Sequence, residues 1–505
     1  MDSNPGEGMT PPLNAITRCS SRAALVLAGA LALSLTPALH APASAQQTQE
    51  AGELMESRTL DNGLDVLVIP DPSVPIVTIE LTVKNGAYTE TPELNGLSHL
   101  YEHMFFKGNA VIPNQEAYLE RMRELGIVFN GTTSSERVNY FFTLPADNLQ
   151  PGLEFMYDAT VSPNFDEAEF AREKEVVLGE ADRAESSPYY WLNRGVESLL
   201  WYRYPARKDP LGSREAITAA TVAQMTRMKE LYYVPNNSVI MVAGDVEPAE
   251  AFATVESIFG KWERGPDPFE VEPVPPHPPL EGDAFVVVER EVQMPVFQLN
   301  WHGPSVGEDP VATHAADVLS FILSQPTSRF YKELIDSQLT LGASLSYYTQ
   351  AFTGPISLTA QTLPDTFYAA LEAALIEVSR FADPDYFTDE QLEAAKTILA
   401  VQEIYGREQT SSFAHTVTFW WAVAGLDYYR SYIADLQAIT RDDIANYVRT
   451  YLEGQPMVVG ALASPAHIEE LGLSEERLQE VVERVRARIA EDAPQATEAR
   501  QGGQP

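Results

Sequence analysis

Two segments of this chain, 220 residues apart, begin alike: VPIVTIELTV at Val74 and MPVFQLNWHG at Met294. A second pair lies near the end of each half. TVAQMTRMKELYYVPNNSVIMVAG starts at Thr221 and TRDDIANYVRTYLEGQPMVVGALA at Thr440, an offset of 219. In both, a threonine precedes a helical stretch and is followed three residues later by Gln or Asp. That pattern lets the hydroxyl accept from a free N–H of the first turn while the later side chain reaches back to the threonine's own amide. About 17 residues after each threonine an apolar strand begins. Capped helices before strands are common, but two concordant offsets favour an internal duplication. Each half opens with alternating β-branched strands, continues into helices and returns to strands, which predicts an α+β fold. The expectation is two homologous domains, each an antiparallel-rich β-sheet with helices packed on one face.

The boundary between the halves is RGPDPFEVEPVPPHPPLEGD, residues 264–283, whose prolines favour an extended, semi-rigid spacer without a core of its own. It separates domains over 46–263 and 284–489, as suits a chain of 505 residues, too long for one core. The Gln/Ala/Gly-rich end, 490–505, reads as a frayed, disordered tail. At the other end Arg18 and Arg22 precede AALVLAGALALSLTPALHAPASA, which closes on the small-x-small pattern Ala43-Ser44-Ala45. Residues 1–45 therefore read as a signal peptide, with Met9 an alternative start. Broken by Pro37, the run is too short to favour a permanent membrane span, and no other segment reaches that length. The expectation is an exported soluble protein, in the periplasm or an equivalent compartment. Cleavage after Ala45 removes Cys19, the only cysteine, so any metal site must be built from His and carboxylate. A net charge of −38 repels nucleic acid and anionic lipid. It would suit basic peptides, though solubility accounts for it equally well.

Two of the eight histidines sit four residues apart in HLYEH, residues 99–103, inside GLSHLYEHMFFKGN. The stretch lacks internal proline and carries its glycines at the edges, so it reads as a helix. On a helix His99 and His103 share a face, as two imidazoles must to hold one metal ion, and Glu102 projects beside that face. Zinc suits His and carboxylate ligands, and a catalytic zinc site takes three of them plus a water. A carboxylate beside that water can take its proton. The bland alternative is a pair of histidines satisfied by hydrogen bonds on a buried helix. A third ligand should come from elsewhere; the strongest candidate is DEAEFAREKEVVLGEADRAES from Asp166, where Glu173 and Glu180 lie seven apart on one face. Taken alone, those glutamates fit a solvated acidic surface.

Together these stretches resemble the inverted zinc motif of the pitrilysin/insulinase family of peptidases, a signature recognised among catalytic motifs. In that family the third ligand follows the second histidine after 76 intervening residues, within a helix of the form Glu-x-x-x-x-x-x-Glu. Here 76 residues separate His103 from Glu180, and EKEVVLGE spans Glu173 to Glu180. The resemblance implies zinc held by His99, His103 and Glu180, with Glu102 as general base and Glu173 as a catalytic-site carboxylate orienting its neighbours. FNGTTSSERVNYFFTLP resembles the family's Asn-Ala-x-Thr strand near the metal, with Gly131 where Ala is usual. By that likeness Asn130, Gly131 and Thr132 would bind substrate, pairing an extended peptide to the sheet edge through main-chain hydrogen bonds. The implied function is zinc-dependent hydrolysis of unfolded peptides by an endopeptidase; the alternative is a non-catalytic structural or peptide-binding subunit of the same fold.

At an offset of 220, His99, Glu102 and His103 fall on Leu319, Ile322 and Leu323, so the second half should be metal-free. His302, His314 and His415 read as packing or surface residues, and FWWAVAGLDYY from Phe419 as core. Active relatives also carry a substrate-binding Arg and Tyr seven residues apart in a half, or partner subunit, without the zinc motif. Aligning SRFYKELIDSQLTLGASLSYY at Glu333-Leu334 places Ile335 and Gly342 there, and neither can hold a carbonyl through its side chain. The resemblance therefore implies the catalytic subunit of a heterodimer, with a homologous non-catalytic subunit supplying the pair.

Overall fold

The computed structural model describes residues 55–501. The leader expected over 1–45, with Cys19, lies outside the described residues, as do residues 502–505. The first half holds β1 (Glu56–Thr59), β2 (Asp65–Pro70), β3 (Ile76–Val83), β4 (Val128–Thr133), β5 (Val138–Pro145) and β6 (Ser238–Gly244). The second holds β7 (Ala284–Glu289), β8 (Val296–His302), β9 (Gly342–Tyr347), β10 (Pro355–Gln361) and β11 (Val458–Ala463). The spatial orders are β1-β2-β6-β3-β5-β4 and β7-β11-β8-β10-β9. Without β1 the two are the same order. In each sheet one pair is parallel, β2 with β6 and β7 with β11, and every other pairing is antiparallel. The duplication legible in the offsets is thus a duplication of topology.

The helices that matter below are α1 (Leu97–Phe105), α2 (Glu167–Glu185), α3 (Pro188–Leu200), α4 (Val222–Tyr232), α5 (Pro310–Ser324), α6 (Thr410–Val423), α7 (Arg441–Tyr451) and α8 (Glu475–Gln501). Both expected capping boxes are present. Thr221 and Gln224 close one at the start of α4, and Thr440 and Asp443 the other at the start of α7. Each half has its own core. In the first, Ile79, Leu81, Tyr140 and Phe142 of the sheet meet Leu100, Met104 and Phe105 of α1. In the second, Leu299, Ile356 and Leu358 meet α5, whose Leu319, Ile322 and Leu323 are fully buried where the first half carries its motif. At about 1.5–3 kcal/mol per buried large aliphatic or aromatic side chain, these residues anchor the fold rather than a site.

The expectation of helices on one face needs correcting. Each sheet is covered on its second face by a helix from the other half. Phe413, Val417 and Trp421 of α6 pack against Leu67, Ile69, Val239 and Met241. Leu192, Val196 and Leu200 of α3 pack against Val296, Val458 and Leu462. The reason lies in the inner strands: every residue of β6 (SVIMVAG) and of β11 (VVGALA) is buried, so neither strand has a face fit for water. The aromatic cluster from Phe419 belongs to this exchanged layer, with Trp421 buried against β2 and β6.

The exchange also buries a charge. Glu80 on β3 is 0% exposed; it accepts from Asn139 Nδ2 at 2.7 Å and Thr418 Oγ1 at 2.6 Å, and pairs with His415 of α6. Burial is the largest single influence and works to raise its carboxyl, but the bond and charge of His415, the Arg137 guanidinium and the Thr418 hydroxyl together hold the group below its ordinary value. His415, expected as packing or surface, is thus the hydrogen-bond partner of a buried carboxylate across the two halves. His302 stacks on Trp201 with ring centroids 4.6 Å apart, and His314 bonds the Pro310 carbonyl; both are packing residues.

The proline-rich stretch lies along the first half. Arg207 donates to the Pro275 carbonyl at 2.8 Å, and Phe269 stacks on Tyr88 with centroids 5.8 Å apart. The frayed tail expected from 490 is replaced over 490–501 by the continuing backbone of α8, in keeping with the helix propensity of its Ala, Glu, Gln and Arg residues. Among the described residues no helix is long and apolar enough to cross a membrane.

Candidate metal centre

The helix carrying HLYEH starts without a side-chain cap of its own: its N-cap is Gly96, at φ 94°. The cap comes from outside the helix. Glu90, 2% exposed, accepts from the Gly96 amide through Oε2 and from the Ser98 amide through Oε1, both at 2.7 Å. A carboxylate at a helix N-terminus satisfies orphan donors and meets the positive end of the dipole. Burial pushes this carboxyl up to about 7, against the pull of those two amides. Asn95 fixes the same turn by donating to the carbonyls of Ala206 at 3.1 Å and Asp209 at 3.0 Å.

From that start α1 buries Leu100, Tyr101, Met104 and Phe105 and turns His99 and His103 to its other face, their ring centroids 4.9 Å apart. Helix α2 packs across them. It begins at Asp166, whose side chain accepts from Ala168 and Glu169 amides, and it is anchored by buried Phe170 and Val177. That register brings Glu180 to the histidines: Oε2 lies 3.4 Å from His99 Nε2 and Oε1 lies 3.8 Å from His103 Nε2. The three ligand atoms fall within 4.8 Å of one another, and among the described residues no other group of three His, Cys, Asp or Glu side chains converges so. Zinc with ligand bonds of about 2.0–2.1 Å holds tetrahedral ligand atoms about 3.3 Å apart, so these residues fit the ion with little movement. Both donor nitrogens are Nε2.

The remaining nitrogen of His103 is placed by Glu173, which is 6% exposed: Nδ1 lies 3.1 Å from Oε2. A proton on Nδ1 donated to Glu173 leaves Nε2 free for a metal. The other oxygen of Glu173 pairs with Lys107 Nζ at 2.7 Å. Burial works to raise Glu173, but the bonds from His103 and Lys107 prevail and hold it below its ordinary value. In Glu180 burial likewise works to raise the carboxyl, but the bond to His99 together with the neighbouring His103 and Arg183 lowers it.

Glu102 behaves in the opposite way. Burial pushes its carboxyl up, and neither His99 nor the hydroxyl of Thr133, which donates to Oε2 at 2.7 Å, fully offsets it. Its side chain lies over β4. A Cβ at residue 131 would stand 2.8 Å from Glu102 Cγ and 3.0 Å from Oε1, so glycine there gives the carboxylate its place. Strand β4 is the edge of its sheet, and its free side has no partner strand among the described residues. Asn130 and Gly131 sit on that edge, whereas the Thr132 hydroxyl is committed to Asn139 of β5. In the second half, Ile335 lies in a π-helical turn (Lys332–Asp336) against the core and Gly342 opens β9; neither offers a polar side chain.

Residues 99, 102, 103, 173 and 180 are therefore brought together. Sequence reading missed Glu90, Lys107 and Thr133. Lys107 carried a signal, standing four residues after His103, just past the end of α1; Thr133 adjoins the expected substrate strand; Glu90 had none.

A duplicated α+β chain with a His–His–Glu cluster and a neighbouring carboxylate in one half only defines a candidate metallopeptidase. Residues 65–208 match the model of Insulinase (Peptidase family M16), and residues 219–399 that of the Peptidase M16 inactive domain. This chain belongs to the peptidase M16 (insulinase) family. It is 27% identical over 300 residues to the zinc protease PqqE of Helicobacter pylori, covering 58% of this chain and 67% of that one. It superposes on the crystal structure of a protease from Helicobacter pylori with a TM-score of 0.71 at 22% identity, over 81% of this chain and 99% of that one. On the periplasmic protease PqqL of Escherichia coli the TM-score is 0.68 at 17% identity, over 86% of this chain but 50% of that one.

Proposed function

We propose that this chain is a zinc-dependent endopeptidase acting on unfolded peptides, and the catalytic subunit of a heterodimer. The observation that carries the reading is the convergence of His99, His103 and Glu180 beside the buried carboxylate of Glu102. Zinc held by these three residues would polarise a scissile carbonyl and acidify the attacking water. Glu102, its carboxyl raised above the ordinary value by burial, accepts that water's proton and delivers it to the leaving amine. Thr133 fixes the oxygen Oε2, leaving Oε1 for the exchange. Glu173 and Lys107 hold His103 in its ligating tautomer. The free edge of β4, with Asn130, Gly131 and Thr132, receives an extended peptide backbone whatever its sequence.

The heterodimer is supported by two observations. Ile335 and Gly342 offer no side-chain donor to a substrate carbonyl, and this chain spans half of PqqL, so a second chain of similar size would supply the Arg/Tyr pair. Export to the periplasm is supported by the leader-like N-terminus and by the likeness to PqqL, itself a periplasmic protease. Glu102→Gln tests the mechanism: the variant should fold and keep its zinc while turnover of a fluorogenic peptide falls by about 10²–10⁴-fold. Unchanged hydrolysis would remove Glu102 from the reaction. Full activity of the purified monomer would remove the partner.

A further inference from the structure

The carboxylate of Glu102 is oriented by Thr133, the last residue of β4, and what holds Thr133 is a four-residue turn, 134–137, closed by the Ser134 amide on the Arg137 carbonyl at 2.8 Å. That turn is gripped from two sides. On the first-half side, the amides of Ala87 and Tyr88 donate to the carbonyls of Ser134 (3.3 Å) and Ser135 (2.8 Å). The approach is so close that a Cβ at residue 86 would stand 2.5 Å from the Ser134 oxygen, and only glycine fits at φ 146°. On the other side stands the second half. Glu136, 4% exposed, accepts from the amides of Ala351 at 2.6 Å and Phe352 at 3.0 Å. Lys208 seizes the same loop, donating to the carbonyls of Phe352 at 2.6 Å and Thr353 at 2.9 Å and to the side chain of Gln350. Phe352 stacks on Tyr88 with centroids 5.6 Å apart. Arg137 donates to the His415 carbonyl of α6 at 2.8 Å.

We infer that Glu136 is a positioning residue for the reaction: it makes the 350–353 loop of the second half a clamp on the turn that holds Thr133 and, through it, Glu102. The inference rests on the peptidase reading for its kinetic consequence, though not for its structural one. A buried carboxylate spent on two backbone amides of another domain fixes register, since both oxygens are used and neither amide can shift without losing its partner. The second half thereby contributes to the site through the turn, at a distance from the three ligand side chains.

The test uses the full zinc-loaded protein carrying Glu136→Gln, whose amide group must face one of the two N–H donors, and separately Phe352→Ala, which loosens the clamp from the second-half side. Hydrogen exchange across 128–138 should quicken by about fivefold or more in both variants. Zinc content should stay unchanged, with kcat down by about tenfold and KM within about twofold. Glu136→Gln combined with Thr133→Ala should be no slower than Thr133→Ala alone, because both act through one hydroxyl. Unaltered exchange over 128–138 in a folded variant overturns the clamp whether or not the protein proves to be a peptidase. Losses that multiply in the double variant overturn the route through Thr133. Should Glu136→Gln fail to fold, Phe352→Ala decides by the same readouts. An inactive wild type with quickened exchange in the variants would sink the peptidase reading and leave the clamp standing.

Discussion

Replacing Glu90 by alanine should damage both stability and metal binding, although the residue lies nine positions before the first ligand. Its carboxylate makes two 2.7 Å bonds to the amides of Gly96 and Ser98, and α1 has no other side-chain cap. Net stabilisation from a hydrogen bond to a charged group is about 1.5–3 kcal/mol, and a buried donor left without a partner costs about 1–3 kcal/mol. The burial cost of the carboxylate, visible in its pKa of about 7, offsets part of this. The expected loss at pH 8, where the group is ionised, is about 3 kcal/mol. For a domain of this size each kcal/mol moves the melting temperature by about 2–4 °C, so the drop should be on the order of 6–12 °C. Because Ser98 adjoins His99, a frayed first turn also loosens the metal-facing ring; zinc affinity, read by competition with a chromogenic chelator, should weaken about tenfold. Glu90→Gln, which keeps one acceptor, should fall between. A Glu90→Ala protein that melts within a degree of wild type and binds zinc equally well would refute the reasoning.

Three further outcomes are expected. Lys107→Met removes the cation paired with Glu173 and should weaken zinc binding by about tenfold in the same chelator competition, with the fold intact; unchanged affinity would separate Lys107 from the metal site. Gly131→Ala introduces the residue usual in the family but places a methyl 2.8 Å from Glu102 Cγ in this chain's arrangement, so Glu102 must shift and kcat should fall while zinc content holds; an unaffected kcat would mean that Glu102 moves without penalty. Asp317 is pushed up to about 6 from 3.8 by burial, so between those values the folded chain binds a proton that the unfolded chain releases, and stability falls as pH rises through that range. Asp317→Asn should therefore gain on wild type by about 2–3 kcal/mol between pH 4 and pH 7, measured by denaturant titration at each pH; a constant difference would contradict the shift.

The convergence of the candidate site residues was legible because it is written locally. His99, Glu102 and His103 share one short helix, and the EKEVVLGE spacing puts Glu173 and Glu180 on one face of another. The duplication was legible because a capping box and a strand recur at a fixed distance. What escaped is what depends on chain crossing. That α6 covers the first sheet and α3 the second follows from the unbroken burial of SVIMVAG and VVGALA, a pattern that demands cover on both faces without naming what supplies it. Glu90 and Glu136 carried no signal, and His415 read as packing or surface, because their partners are backbone amides or side chains up to 335 positions away. Composition misled at 490–501, where Ala and Gln read as a frayed tail and form helix.

Convergence of three side chains on a single ion is tested most directly by anomalous X-ray scattering at the zinc edge. Crystals of the zinc-loaded wild-type protein should show one strong peak about 2.0–2.2 Å from Nε2 of His99, Nε2 of His103 and a carboxylate oxygen of Glu180, and the peak should vanish in Glu180→Gln. A peak coordinated by other residues, or one that survives intact in that variant, would contradict it.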